Sequence, residues 1–99
     1  MTTIVENFNR AFENRIRLAV MSILVVNDSA DFNTLKEMLK LTDGNLATHA
    51  ATLEKNKYIR IEKRFVGKKT LTTYFATPAG RRAFAEHLDA LEKLIRRSK

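Results

Sequence analysis

The chain has 99 residues, 44% of them hydrophobic, enough for one core, and is expected to form a single domain over 1–99. It has no cysteine, which excludes disulfides, thiolate metal sites and thiol redox chemistry; it shows no signal-peptide pattern, and its longest apolar stretch, Ile16 to Val26, is too short to cross a bilayer, so a cytoplasmic protein without a membrane partner is expected. The formal net charge is +7, and Lys55 to Thr70, with seven basic residues against Glu62, carries +6 of it, leaving +1 for the other 83 residues.

Thr3-Ile4-Val5-Glu6 has the spacing of a capping box. Ile4, Phe8, Ala11, Phe12 and Ile16 then recur at helical spacing, which predicts a first helix with a bend near Glu13-Asn14. From Ile16 to Val26 that helix is apolar nearly all round, so it is central or covered by a partner. Asn27-Asp28-Ser29 ends it, and Ala30-Asp31-Phe32 is a short extended piece. Asn33 is the expected N-cap of a second helix that carries Leu35, Met38 and Leu39. Thr42 is the N-cap of a third, which places Asp43 in its first turn and Leu46, Ala50 and Leu53 on its inner side, and which runs to about Asn56. So short a connection, Lys40 to Thr42, makes the two helices an angled pair.

The hydrophobic period then changes. Tyr58 to Val66 alternates as a strand, Gly67-Lys68-Lys69 is a turn, and Leu71 to Ala76 is a second strand. Thr77-Pro78 opens a last helix, with Pro at the first helical position. Along it Phe84, Leu88, Leu91 and Ile95 are spaced four, three and four, and Leu94 widens this seam. The basic excess falls on the end of the third helix and on the hairpin, the electrostatic footprint of a polyanion partner.

Helix, short strand, two helices, basic hairpin, helix is a mostly helical α+β order. Several segments share it with a known family: Asn14-Arg15-Ile16-Arg17-Leu18-Ala19, Asp31-Phe32-Asn33 with Leu35, Leu41-Thr42-Asp43-Gly44-Asn45-Leu46-Ala47 with His49, Leu53-Glu54-Lys55-Asn56-Lys57-Tyr58-Ile59, Thr72-Thr73-Tyr74, and Thr77-Pro78-Ala79-Gly80-Arg81. In these the chain resembles the small winged helix-turn-helix transcriptional regulators of the MarR/ArsR kind. It departs from them at Ala50, where a leucine is usual, and at Thr70-Leu71, where a Pro-Arg pair is frequent. The resemblance implies a three-helix DNA-binding core, a two-stranded wing and a C-terminal dimerisation helix. It also implies a DNA-binding dimer whose third helix enters the major groove.

On that helix, Thr42, Gly44, Asn45, Thr48, His49 and Thr52 form the face expected at the bases. Gly44 permits close approach, Asn45 can pair with the N6/N7 edge of adenine, and the threonines can hydrogen-bond or touch a thymine methyl. His49 has two readings, a base or phosphate contact and packing against the hairpin. Asn33, Lys55, Arg64, Lys68, Lys69 and Thr70 are expected on the backbone, where point charges add affinity and salt dependence but little specificity. Ile4, Val5, Phe8, Phe12, Phe84, Leu88, Leu91, Leu94 and Ile95 make more apolar stripe than one small domain needs, and a symmetric partner would cover it. The expected function is sequence-specific binding of double-stranded DNA by a homodimer that regulates transcription; the alternative is a winged helix that docks proteins and no DNA. An enzyme is not expected. His49 and His87 lie on different helices without a partner motif, the three glycines cannot build a phosphate loop, and no cluster has metal-ligand spacing. No metal or cofactor is called for, and no residue set marks a small-molecule effector, though a regulator of this kind leaves room for one.

Overall fold

A computed structural model describes residues 8–97. There the chain starts with one 3-10 turn, Arg10–Phe12, where helical spacing predicts α-helix. Two asparagines cause the difference. Asn9 accepts from the Ala11 amide through its side chain, and Asn14 accepts from the amides of Ile16 and Arg17. Such side chains offer the backbone an alternative to helix continuation. Asn14 is therefore the N-cap of a new helix, α1 (Arg15–Asn27), and the bend expected at Glu13-Asn14 is a full interruption. The Thr3–Glu6 capping box, and Ile4 and Val5 with it, lie outside the described residues.

The apolar helix α1 is the central one: Val20, Met21 and Leu24 are buried, and Ile16, Leu18, Ile23 and Val25 pack around them. A short strand, β1 (Ser29–Asp31), leads into α2 (Phe32–Leu39). The N-cap of α2 is Asp31, and not Asn33, which is exposed in the first turn. The Asp31 carboxylate accepts from the Thr34 amide at 2.7 Å, and bonding to Thr34 holds its pKa below the ordinary value.

Helix α2 ends in a left-handed residue, Lys40 (φ 54°), with bonds from the Leu41 amide to the Lys36 carbonyl (3.0 Å) and from the Lys40 amide to the Glu37 carbonyl (3.4 Å). The next helix, α3 (Asp43–Lys55), is capped as predicted by Thr42, whose hydroxyl accepts from the Asn45 amide at 3.1 Å. It ends in the same way as α2. Lys57 is left-handed (φ 65°), its amide bonds Glu54 at 2.8 Å, and the Tyr58 amide bonds Leu53 at 3.0 Å. This is the Schellman closure, which usually takes glycine at the position lysine holds here. Ala50 is buried beside Leu46 and Leu53 on the inner side of α3.

β2 (Ile59–Val66) and β3 (Lys69–Ala76) pair antiparallel from Ile59↔Ala76 to Val66↔Lys69. Their loop is Gly67-Lys68, with Gly67 at φ 66°, as a two-residue turn with glycine first requires. β1 pairs with the other edge of β3, giving the order β1-β3-β2. Ile59 and Tyr74 anchor the hairpin in the core, whereas Glu62 to Thr70 is exposed throughout.

The last helix, α4 (Pro78–Arg97), is tied to the end of α3 at its first turn. The Thr77 hydroxyl accepts from the Gly80 amide (2.9 Å) and donates to the Lys57 carbonyl (2.7 Å), and the Thr77 amide donates to the Tyr58 carbonyl (3.0 Å). Arg81 reaches the Val25 carbonyl (3.0 Å) and Asp28 (2.7 Å). Phe12 sits against Tyr58, Phe84 and His87 at ring separations of 5.4–5.5 Å. His87 is buried, and its Nδ1 accepts from the Asn9 amide at 3.0 Å.

Phe12 and Phe84, at 2% and 6% exposure, thus belong to the chain's own core and have no surface left for the expected partner to which their spacing assigned them. Phe8 is half-buried against the His87 ring. Beyond Ala90 the helix has no buried residue, and the Cα radius of gyration, 15.0 Å, exceeds the about 13 Å of a compact chain of this size. Among the described residues no helix is long and apolar enough to cross a membrane.

A Cβ at Gly80 would lie 2.1 Å from the Tyr58 carbonyl oxygen, a backbone atom that cannot swing aside. Gly80→Ala is expected to destabilise the fold by about 1–3 kcal/mol through overpacking. Urea denaturation at fixed protein concentration checks this; an unchanged midpoint would mean that α4 does not rest on Tyr58.

Candidate nucleic-acid interface

Helix α3 turns Leu46, Ala50 and Leu53 inward, and helical geometry then dictates the outer face. Thr42, Gly44, Asn45, Thr48 and Lys55 are exposed there. Thr52 is half-buried, with its hydroxyl donating to the Thr48 carbonyl at 3.3 Å. Nothing lies within 4 Å of a Cβ placed on Gly44, so the protein's own packing does not demand a glycine there. The Thr42 hydroxyl is committed to its cap, whereas the Asn45 side chain is in no hydrogen bond among the described residues.

His49 makes a contact within the protein that neither of its two readings included. It is half-buried and turned toward α1, with Nδ1 at 3.1 Å from Arg17 Nη1. The same guanidinium donates through Nε to the Ala11 carbonyl at 2.7 Å. Arg17 thereby ties the 3-10 turn to α3. In the sequence it stands within a segment shared with the family, and nothing local marks it as a cross-link.

The cations of the hairpin divide into two groups. Arg60 is engaged within the protein: its guanidinium lies 4.3 Å over the Phe75 ring and pairs with Glu62. The segment's one acid is thus neutralised where it stands. Lys55, Lys57, Lys63, Arg64, Lys68 and Lys69 are exposed, and among the described residues none of them forms an ion pair. Thr70 is exposed beside them on the wing, and Asn33 is exposed on α2. Where α1 meets the turn between α2 and α3, Arg15, Lys40 and Asn45 line an open cleft of about 370 Å³. Arg15 and Lys40 are cations that the charge count missed, because they lie outside the basic segment and only the fold brings them next to α3. At the root of the hairpin, burial pushes the Tyr74 hydroxyl up, with the Glu54 carboxylate adding to the effect. Among the described residues no group of three or more His, Asp or Glu could hold a metal ion.

Residues 16–95 match the family model described as a winged helix DNA-binding domain. The chain belongs to that family. It is 32% identical to the uncharacterized protein MJ0432 of Methanocaldococcus jannaschii over 79 residues, which cover 80% of this chain and 86% of that one. Its fold superposes on a transcriptional regulator homologue from Pyrococcus horikoshii with a TM-score of 0.82 and 27% identity, over 93% of this chain and 89% of the other. A MarR-family transcriptional regulator from Silicibacter pomeroyi shares the fold at a TM-score of 0.68 and 17% identity, over 96% of this chain and 63% of that one. The resemblance read from the sequence motifs is borne out. This winged-helix protein is a DNA-binding regulator, and its family is not one of enzymes.

Arg17 holds the carbonyl of buried Ala11 and a half-buried imidazole. Arg17→Met is expected to cost about 1–3 kcal/mol by leaving those groups without a donor. The loss would show as a lower urea midpoint, and a variant as stable as the parent would mean that solvent satisfies both groups.

Proposed function

We propose that this winged-helix protein binds double-stranded DNA sequence-specifically as a homodimer and so regulates transcription. The observation that carries the reading is the set of six exposed, unpaired cations running from Lys55 through the wing to Lys69. They follow directly on an α3 face made of Gly44, Asn45, Thr48 and Thr52. That face is polar and small, suited to base edges and not to an apolar protein surface. In this reading Asn45 reads an adenine and the threonines read thymine methyls or hydrogen-bonding edges. The wing cations, with Arg15 and Lys40 on the other side of α3, hold phosphates. His49, oriented through Nδ1 by Arg17, keeps its place beside that face.

The second half of the reading, the dimer, is supported by what α4 leaves uncovered. Leu88 is 46% and Ile95 60% exposed, seven residues apart and so in one heptad position, with Leu91 half-buried between them. A second copy covering this seam would place two recognition helices about 34–36 Å apart, on a site with two-fold symmetry. The chain over 1–99 would then act as one unit with its own dimerisation helix.

Neutralising the tip with Lys68→Ala and Lys69→Ala is expected to weaken binding to every duplex. It should also shallow the slope of log K against log salt by about 0.9 per lost phosphate contact. Mobility shift or fluorescence anisotropy at several salt concentrations reads both effects. An unchanged slope would remove the wing from the interface, and no duplex binding at low salt would favour a protein-docking role. Leu88→Glu with Ile95→Glu should convert a dimer to a folded monomer in sedimentation velocity at micromolar concentration. A parent chain that sediments as a monomer there would refute the dimer.

A further inference from the structure

The tip of the wing carries an apolar side chain that the fold does not use. Phe65 is 81% exposed and Val66 is also exposed, in a stretch, 63–70, that otherwise consists of Lys63, Arg64, Gly67, Lys68, Lys69 and Thr70. Alternation along β2 puts Phe65 on the face of Ile59 and Ile61, the face that enters the core at the root of the hairpin. Its cross-strand neighbour is Thr70, which offers it no apolar cover. A phenylalanine left in water on a hairpin tip has no structural purpose there and is a liability for association. The charge around it identifies what covers it. Four cations and no acid lie within 63–70, and the nearest acid, Glu62, is already paired with Arg60. A surface that joins dense positive charge to a projecting apolar ring fits a polyanion with an apolar interior reached through a narrow opening. The minor groove of duplex DNA has that character: phosphates line both rims, and base steps lie between them.

We propose that Phe65 enters the minor groove of the bound duplex as an apolar wedge, while Lys63, Arg64, Lys68 and Lys69 hold the flanking phosphates. The proposal rests on the duplex-binding reading above and adds a source of sequence preference to it. A wedge that partly unstacks a base step favours steps that deform easily, chiefly pyrimidine–purine steps such as TA, and disfavours stiff A-tracts. The wing thus contributes selectivity through DNA deformability, where its lysines alone contribute affinity.

The test uses the full chain and two duplexes matched in length and base composition. One has central TA steps and the other an uninterrupted A-tract, with 2-aminopurine beside the central step as a reporter of unstacking. The parent chain is expected to bind the TA duplex more tightly and to raise the reporter's fluorescence. Phe65→Ala should weaken binding to the TA duplex by about tenfold, in proportion to the apolar surface it no longer buries. It should also abolish the fluorescence rise and leave the salt slope unchanged, because no phosphate contact is lost. Phe65→Leu, which keeps an apolar wedge, should retain most of the preference. Because Phe65 is exposed, all three proteins should melt together by circular dichroism. If the parent binds and Phe65→Ala matches it within about twofold on both duplexes, the wedge is refuted and duplex binding stands. If the parent binds neither duplex at low salt, the duplex-binding reading fails and takes the wedge with it. Binding to anionic lipid vesicles in that case would reassign the tip to a membrane surface.

Discussion

Phe12 is the contact through which the two ends of the chain hold the middle. Its ring meets Tyr58 at the end of α3 and Phe84 and His87 on α4. Burying such a ring is worth about 1.5–3 kcal/mol, and each well-set aromatic pair adds about 0.5–1.5 kcal/mol. That is a large share of the margin of a small domain. Tyr58 is also the residue whose amide closes α3 and whose carbonyl receives the first amide before α4. The end of α3, the root of the wing and the start of α4 are therefore one joint. It is closed by Gly80 from one side and by Phe12 from the other. These contacts within one chain set the directions in which the outer face of α3 and the hairpin leave the joint.

The same joint explains why part of the fold was legible in the sequence and part was not. Helix starts announce themselves through side chains that accept hydrogen bonds: Thr42 and Thr77 were readable as N-caps, and both are. Where two such residues compete the pattern is ambiguous, as at Asp31 and Asn33. Here the charged cap, three residues before Thr34, is the one used. Helix ends were less visible. α2 and α3 both close on a left-handed lysine, Lys40 and Lys57, where glycine is usual; at α3 Asn56 stands just before the lysine, and there the end was readable. The apolar spacing of Phe8, Ala11 and Phe12 promised a helix because burial obeys that spacing even in a 3-10 turn, and only the asparagines on either side reveal the break. The seam of α4 was overread for a related reason. Periodicity says that Phe84, Leu88, Leu91 and Ile95 share a face but not where the protein's own core stops along it. The core takes Phe84 and releases Leu88 and Ile95.

The recognition face was legible as a list of residues and illegible as a mechanism. Gly44, Asn45 and Thr48 are exposed as their spacing requires. The role of His49 depends on Arg17, 32 positions away in sequence, and a single sequence has no means of showing that contact. The cations beside α3 were hidden for the same reason, since Arg15 and Lys40 come together only through the packing of α1 on the helix pair.

Charge on the wing is arranged by subtraction. Glu62 takes Arg60 out of play, and that guanidinium lies over the Phe75 ring. What remains uncompensated lies farther out, at Lys63, Arg64, Lys68 and Lys69, where the strands have left the core and every residue is exposed. The outer hairpin contributes no apolar burial to folding, so beyond strand pairing and the Gly67 turn the core places no demand on its side chains. A constraint from the core would have hidden Phe65 or excluded it. Its exposure among cations is not explained by the packing of the core, and it is this that directs attention to what the wing meets.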